Sequence, residues 1–246
     1  LHHPWQSELW THGNTDFTGD VVQRLATFTD ACGKPSIHFF GHTHGYSRGQ
    51  DRDHEHVMVN VASAGGALDR WGAPGQEDYE AFSVSQDTWG FVLVDVQAGD
   101  DPAFTLRRYS RGNGNAPADN TLTDTLTVHR FNQAPAAPTV TTPMTCDSGA
   151  TLVASAFSDP DGQSHQGSQW QVATTCADFD APLIDRWRQR RNEYQGVDLQ
   201  ADDDLTNEAV NDLSAGDTVC WRVRYRDDGL AWSPWSSASM TEVPEC

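Results

Sequence analysis

A chain of 246 residues has room for one large domain or two of ordinary size, and a hydrophobic fraction of 37% suffices for packed cores. The formal charge of -19 would repel nucleic-acid backbones and anionic membrane surfaces, so no nucleic-acid partner is expected. No apolar run approaches the roughly 20 residues that span a bilayer, so no membrane span is expected either.

The chain opens Leu1-His2-His3-Pro4-Trp5, and the proline fixes the direction of the loop just after His3. His12 follows in Trp10-Thr11-His12. From 19 to 32, Val21, Val22, Leu25, Phe28 and Ala31 recur at three- and four-residue intervals, which predicts a helix packed on a sheet through that face. Residues 36–40 form a short apolar run ended by Gly41, a buried strand in which His38 reads as a hydrogen-bonded core residue. Gly41-His42-Thr43-His44-Gly45 then projects two imidazoles from one tight loop. Two histidines so spaced suit two ions of a pair about 3.5–4 Å apart. The polar run 51–56, with His54 and His56, reads as a solvated loop. Strands are predicted at 57–61, 89–96 and 104–109.

The segment 132–138 is small, proline-containing and uncharged, and reads as a linker between a unit at 1–131 and a second at 139–246. Beyond it, short strands alternate with turns such as Asp159-Pro160-Asp161-Gly162, the pattern of an all-β sandwich of the immunoglobulin or fibronectin III-like kind. Trp221, Val223 and Tyr225 should face its core, with Arg222, Arg224 and Arg226 toward water. Trp232 and Trp235 are expected to be the exposed pair. The basic run 186–191 is expected to pair with nearby carboxylates. Cys146, Cys176, Cys220 and Cys246 read as two disulfides and hence a secreted, periplasmic or extracellular protein. Of the three possible pairings, seven-strand topology favours Cys146 with Cys246 and Cys176 with Cys220, leaving Cys32 a free, buried thiol.

The pairing of His2-His3-Pro4 with Gly41-His42-Thr43-His44 resembles the calcineurin-like metallophosphoesterases, and within them the purple acid phosphatase branch. The resemblance covers roughly residues 1–110. It implies an α/β metallophosphoesterase sandwich, present here only in its C-terminal part. It also implies a centre of two divalent or mixed-valence ions (iron, zinc or manganese), to which His2 and His42 supply one ion and His44 the other. In this alignment His3 is a spacer, and His12 falls where the branch keeps a proton donor to the leaving alkoxide. The implied activity is in-line hydrolysis of phosphate esters, most simply monoesters. The family's Asp-x-His, Gly-Asp-x-x-Asp or Tyr, and Gly-Asn-His-Asp or Glu motifs are absent. The chain therefore reads as a fragment that by itself should bind metal poorly and catalyse little. The rival readings are a phosphodiesterase or nucleotidase, and a non-catalytic secreted binding protein with a degenerate phosphoesterase half. In the main reading the C-terminal unit is a structural or attachment module.

Overall fold

Helix α1, Asp16–Cys32, ends where Gly33 adopts a left-handed conformation (φ 60°) and returns its N–H to the Asp30 and Thr29 carbonyls. Its buried side consists of Thr18, Gly19, Val22, Ala26 and Thr29, whereas Phe28 is 63% exposed. The predicted apolar face is thus rotated: small residues face the sheet because they allow a close approach, and the larger ones lie at the flank. Val22 packs with Phe40, Met58 and Phe82.

The computed structural model describes residues 1–146 and 149–246. Two units are separable: Leu1–Asn132 with Arg191–Ala201, and Gln133–Arg190 with Asp202–Cys246. In the first, β1 (Ser36–Phe40), β2 (Tyr46–Gln50), β3 (His56–Asn60) and β4 (Phe82–Gln86) form a mixed sheet. Strand β1 is its edge and runs parallel to β3, in register His38 with Met58. A second, antiparallel sheet is the meander β5 (Trp89–Gln97), β6 (Ala103–Gly112) and β7 (Pro117–His129).

Between the two sheets lies a polar core. The Tyr46 hydroxyl and Arg48 Nε each donate to Asp124 Oδ2 at 2.6 Å, and Arg48 Nη2 donates to Oδ1 at 3.1 Å. The Arg108 guanidinium sits 5.0 Å from the Tyr46 ring centroid. Burial works against ionisation of Asp124, but the Arg48 charge and hydrogen bonds hold the carboxyl below the usual carboxylate range. On the opposite face of the mixed sheet, the Ser85 hydroxyl of β4 donates to Ser47 Oγ at 2.8 Å.

The second unit is a two-sheet sandwich. Before it returns to unit 1 at Arg191 the chain forms β8 (Val140–Thr145), β9 (Thr151–Ala154), β10 (His165–Ala173) and β11 (Ile184–Gln189). The short β12 (Glu193–Tyr194) and β13 (Val197–Asp198) then extend the mixed sheet of unit 1 beyond β4, a departure from a single boundary at 132–138. Returning to unit 2, β14 (Asn207–Ala209), β15 (Thr218–Asp227) and β16 (Ser239–Glu242) complete sheets of order β14-β9-β8 and β11-β10-β15-β16. Leu152, Trp170, Val172, Trp221, Val223 and Tyr225 are fully buried in its core. Disulfides join Cys146 to Cys246 and Cys176 to Cys220, and Cys32 is a half-buried free thiol.

Several expectations are corrected here. The described residues are predominantly β, with α1 their one α-helix, so the α/β assignment of the first unit does not stand. Arg226 is buried, with Nε donating to the Leu230 carbonyl at 2.9 Å. Arg222 and Arg224 stack on the Trp235 ring at 4.2 and 4.8 Å, so both indoles of the 232–236 segment are half-buried against β15. His56 lies in β3 and is fully buried, not in a solvated loop. Among the described residues, no helix is long and apolar enough to cross a membrane.

Candidate metal site of the first unit

The opening segment of the chain runs beside the end of β1. The Leu1 ammonium donates to the Phe39 carbonyl at 2.9 Å, and Gly41 N–H donates to the His2 carbonyl at 3.0 Å. Two loops, 2–3 and 41–44, are thereby held side by side. His2, His3 and His42 each offer a ring nitrogen, and these atoms lie within 4.8 Å of one another. The ring centroids are 4.8 Å apart for His2 and His3, 5.1 Å for His2 and His42, and 4.1 Å for His3 and His42.

His42 has φ 70°, a left-handed conformation costly for a side-chain-bearing residue. Its neighbour Thr43 fixes it there. Thr43 is fully buried, its Oγ1 accepts from the Ser7 hydroxyl at 3.0 Å, and Asn60 Nδ2 donates to both Thr43 O and Oγ1 at 2.9 Å. Asn60 closes β3, so the strand end sets the loop. Burial lowers the His42 pKa, and the neighbouring His3, His2 and His44 imidazoles lower it further.

His44 stands apart from this trio. Its Nδ1 lies 2.6 Å from the Ala67 carbonyl, which can only accept, so Nδ1 carries the proton and Nε2 keeps a lone pair. Its backbone exchanges bonds with Asp69: His44 N–H donates to Oδ2 at 2.7 Å, and Asp69 N–H donates to the His44 carbonyl at 2.9 Å. Gly66 lies against the same ring; a Cβ there would meet His44 Cε1 at 3.0 Å. His12 is exposed in a 3-10 turn, Thr11–Gly13, tied down by Thr11 N–H donating to the Gly75 carbonyl at 2.7 Å. The Trp10 ring lies 6.2 Å from His12 and 5.6 Å from His42.

The structure therefore joins His2 with His42, replaces the expected spacer role of His3 with membership of the group, and leaves His44 and His12 outside it. The sequence signal for His3 was its place beside His2 ahead of a buried proline. Three imidazoles at an exposed rim fit a borderline divalent ion such as zinc, and leave room for a further ligand. Among the described residues this is the one group of its kind.

His38 and His56 are a different matter. His38 Nδ1 lies 2.8 Å from His56 Nε2, and His56 Nδ1 lies 2.6 Å from Ser36 Oγ. Burial pushes their pKa values down to about 3 and about 4, which marks a neutral core pair. Glu8 is also fully buried; Tyr79 N–H donates to its Oε1 at 2.9 Å, and burial raises its pKa to about 8.

No family model matches the chain, and no curated protein does. Among solved structures, domains A168–A170 from titin align at 13% identity with a TM-score of 0.29, over 69% of this chain and 53% of that one. The chain thus spans about half the length of that titin structure. The resemblance to calcineurin-like phosphoesterases and purple acid phosphatases is corrected accordingly: no phosphoesterase family or relative matches. The unit carrying the histidines is built of strands with a single helix, not as an α/β fold.

Proposed function

We propose that the first unit is a metal-dependent hydrolase of phosphate esters, most simply monoesters, with one ion of the zinc, iron or manganese type held by His2, His3 and His42. The convergence of their ring nitrogens within 4.8 Å carries this reading. A bound divalent ion would supply positive charge and lower the pKa of water. Because the ligands are neutral, that charge would be uncompensated by the protein, which favours an anionic substrate such as a phosphomonoester. In this reading His12, exposed and sharing Trp10 as a neighbour with His42, would protonate a leaving oxygen. Of the expected ligands for a second ion, His44 offers Nε2.

The second unit, with three strands in one sheet and four in the other, supports a fibronectin III-like module serving for attachment. Its two disulfides support a secreted or periplasmic location.

The test strips the chain with a chelator, reloads it with zinc, iron or manganese, and follows hydrolysis of p-nitrophenyl phosphate. Metal-dependent turnover that disappears in His42→Ala is expected. Neither metal retention nor turnover would sink the reading and favour a non-catalytic binding protein.

A further inference from the structure

The imidazoles of His42 and His12 are flanked by one indole. Trp10 is half-buried; its ring lies 5.6 Å from His42 at a 42° tilt and 6.2 Å from His12, edge-on at 71°. Its position is fixed from below by Gly13: a Cβ there would meet Trp10 Cε3 at 3.0 Å, His42 Cδ2 at 3.2 Å and Thr43 Cγ2 at 2.8 Å. The 3-10 turn thus brings backbone alone against the Trp10 and His42 rings, and the turn is held by Thr11 N–H to the Gly75 carbonyl. The indole is therefore a built part of the rim and not a loose surface side chain.

We infer that Trp10 is a specificity-determining residue that selects phosphoesters with an aromatic leaving group, aryl or nucleoside. This rests on the proposed metal site. A phosphoryl group held at the His2, His3 and His42 trio, with its leaving oxygen directed at His12, must pass its leaving group along the Trp10 ring, because that ring flanks both imidazoles. A planar leaving group gains offset or edge-on contact with the indole there, and a small aliphatic one does not. Contacts of this kind correspond to roughly three- to tenfold in affinity. The phosphate itself gains nothing from the indole, so the preference belongs to the leaving group alone.

The experiment uses two non-hydrolysable probes, phenylphosphonate and methylphosphonate, titrated calorimetrically into the zinc-loaded chain. The wild type is expected to bind phenylphosphonate roughly three- to tenfold more tightly. In Trp10→Ala the two affinities should become equal, with zinc content and methylphosphonate affinity kept; Trp10→Phe should retain part of the preference. Trp10→Leu, which keeps apolar bulk, serves if the alanine variant does not fold. Equal affinities in the wild type, or a preference that survives in Trp10→Ala or Trp10→Leu, overturns the role of Trp10 while leaving the metal site standing. A chain that holds no zinc or binds neither phosphonate overturns both.

Discussion

The two units stabilise their interiors by different means. Unit 2 buries a continuous apolar core around Trp170, Trp221 and Tyr225 and closes it with two disulfides. Unit 1 buries ionisable and hydroxyl groups on both faces of its mixed sheet: Arg48 with Asp124 and Tyr46 and Arg108 over Tyr46 on the face toward the second sheet, and Ser85 on Ser47, the His38–His56 pair and Glu8 elsewhere in its interior. Apolar burial is indifferent to pH, whereas a buried ionisable group links folding to proton binding. Unit 2 also buries ionisable groups, Arg226, Asp227 and Glu208, so charge deletions should act in both units, whereas the two disulfides set unit 2 apart in its response to reductant.

The largest expected effect separates them by redox state. The bridges close chain separations of 100 and 44 residues, worth about 4.7 and about 4 kcal/mol by chain entropy. Reduction should lower the unfolding temperature of unit 2 and speed amide exchange in β10 and β15 while leaving β2 and β3 protected. Equal loss of protection in both units would break the contrast.

Next in size is Asp124→Ala. It leaves the buried Arg48 charge and the Tyr46 hydroxyl without their acceptor, which should cost about 3–5 kcal/mol in denaturant unfolding of unit 1. A loss below about 1 kcal/mol would mean that water enters the site and solvates Arg48.

A third effect is a pH slope. Glu8 has a folded pKa of about 8 against an ordinary 4.5, so the folded state binds the extra proton and stability should fall as pH rises from 4.5 to 8. Burial is the main cause, with Asp78 adding to it. For His38 and His56 the sign reverses. Their folded values of about 3 and about 4 lie below 6.5, so stability is lost as pH falls from 6.5 toward those values. Glu8→Gln keeps an acceptor for Tyr79 N–H and removes the charge, so it should raise the melting temperature at pH 8 and flatten the alkaline slope. An unchanged slope would assign the alkaline loss to another group.

The same contrast explains what the sequence disclosed. In unit 2, β15 alternates Trp221, Val223 and Tyr225 with arginines, and its inward face and both disulfide pairings were legible from period and topology. In unit 1, β1 was legible as an apolar run. Strands β2 (Tyr-Ser-Arg-Gly-Gln) and β4 (Phe-Ser-Val-Ser-Gln) were not, although every residue of both is buried. Their burial depends on polar partners, such as Ser47 for Ser85 and Asp124 for Arg48, that lie far away in sequence, so hydropathy carries no trace of it. The strands β12 and β13 escaped notice because they are two residues each and belong to a sheet begun more than a hundred residues earlier. At the candidate site, the spacing of His2, His42 and His44 marked the two loops, but only the pairing of residues 1–2 beside β1 reveals that His3 joins the group in preference to His44.

That substitution of His3 for His44 is the most direct point of attack. Cobalt(II) can be titrated into the chelator-stripped chain and its visible absorption followed for the wild type, His3→Ala and His44→Ala. The account predicts one ion per chain, an affinity at least tenfold weaker in His3→Ala, and little change in His44→Ala. Binding that survives in His3→Ala and is lost in His44→Ala would contradict it.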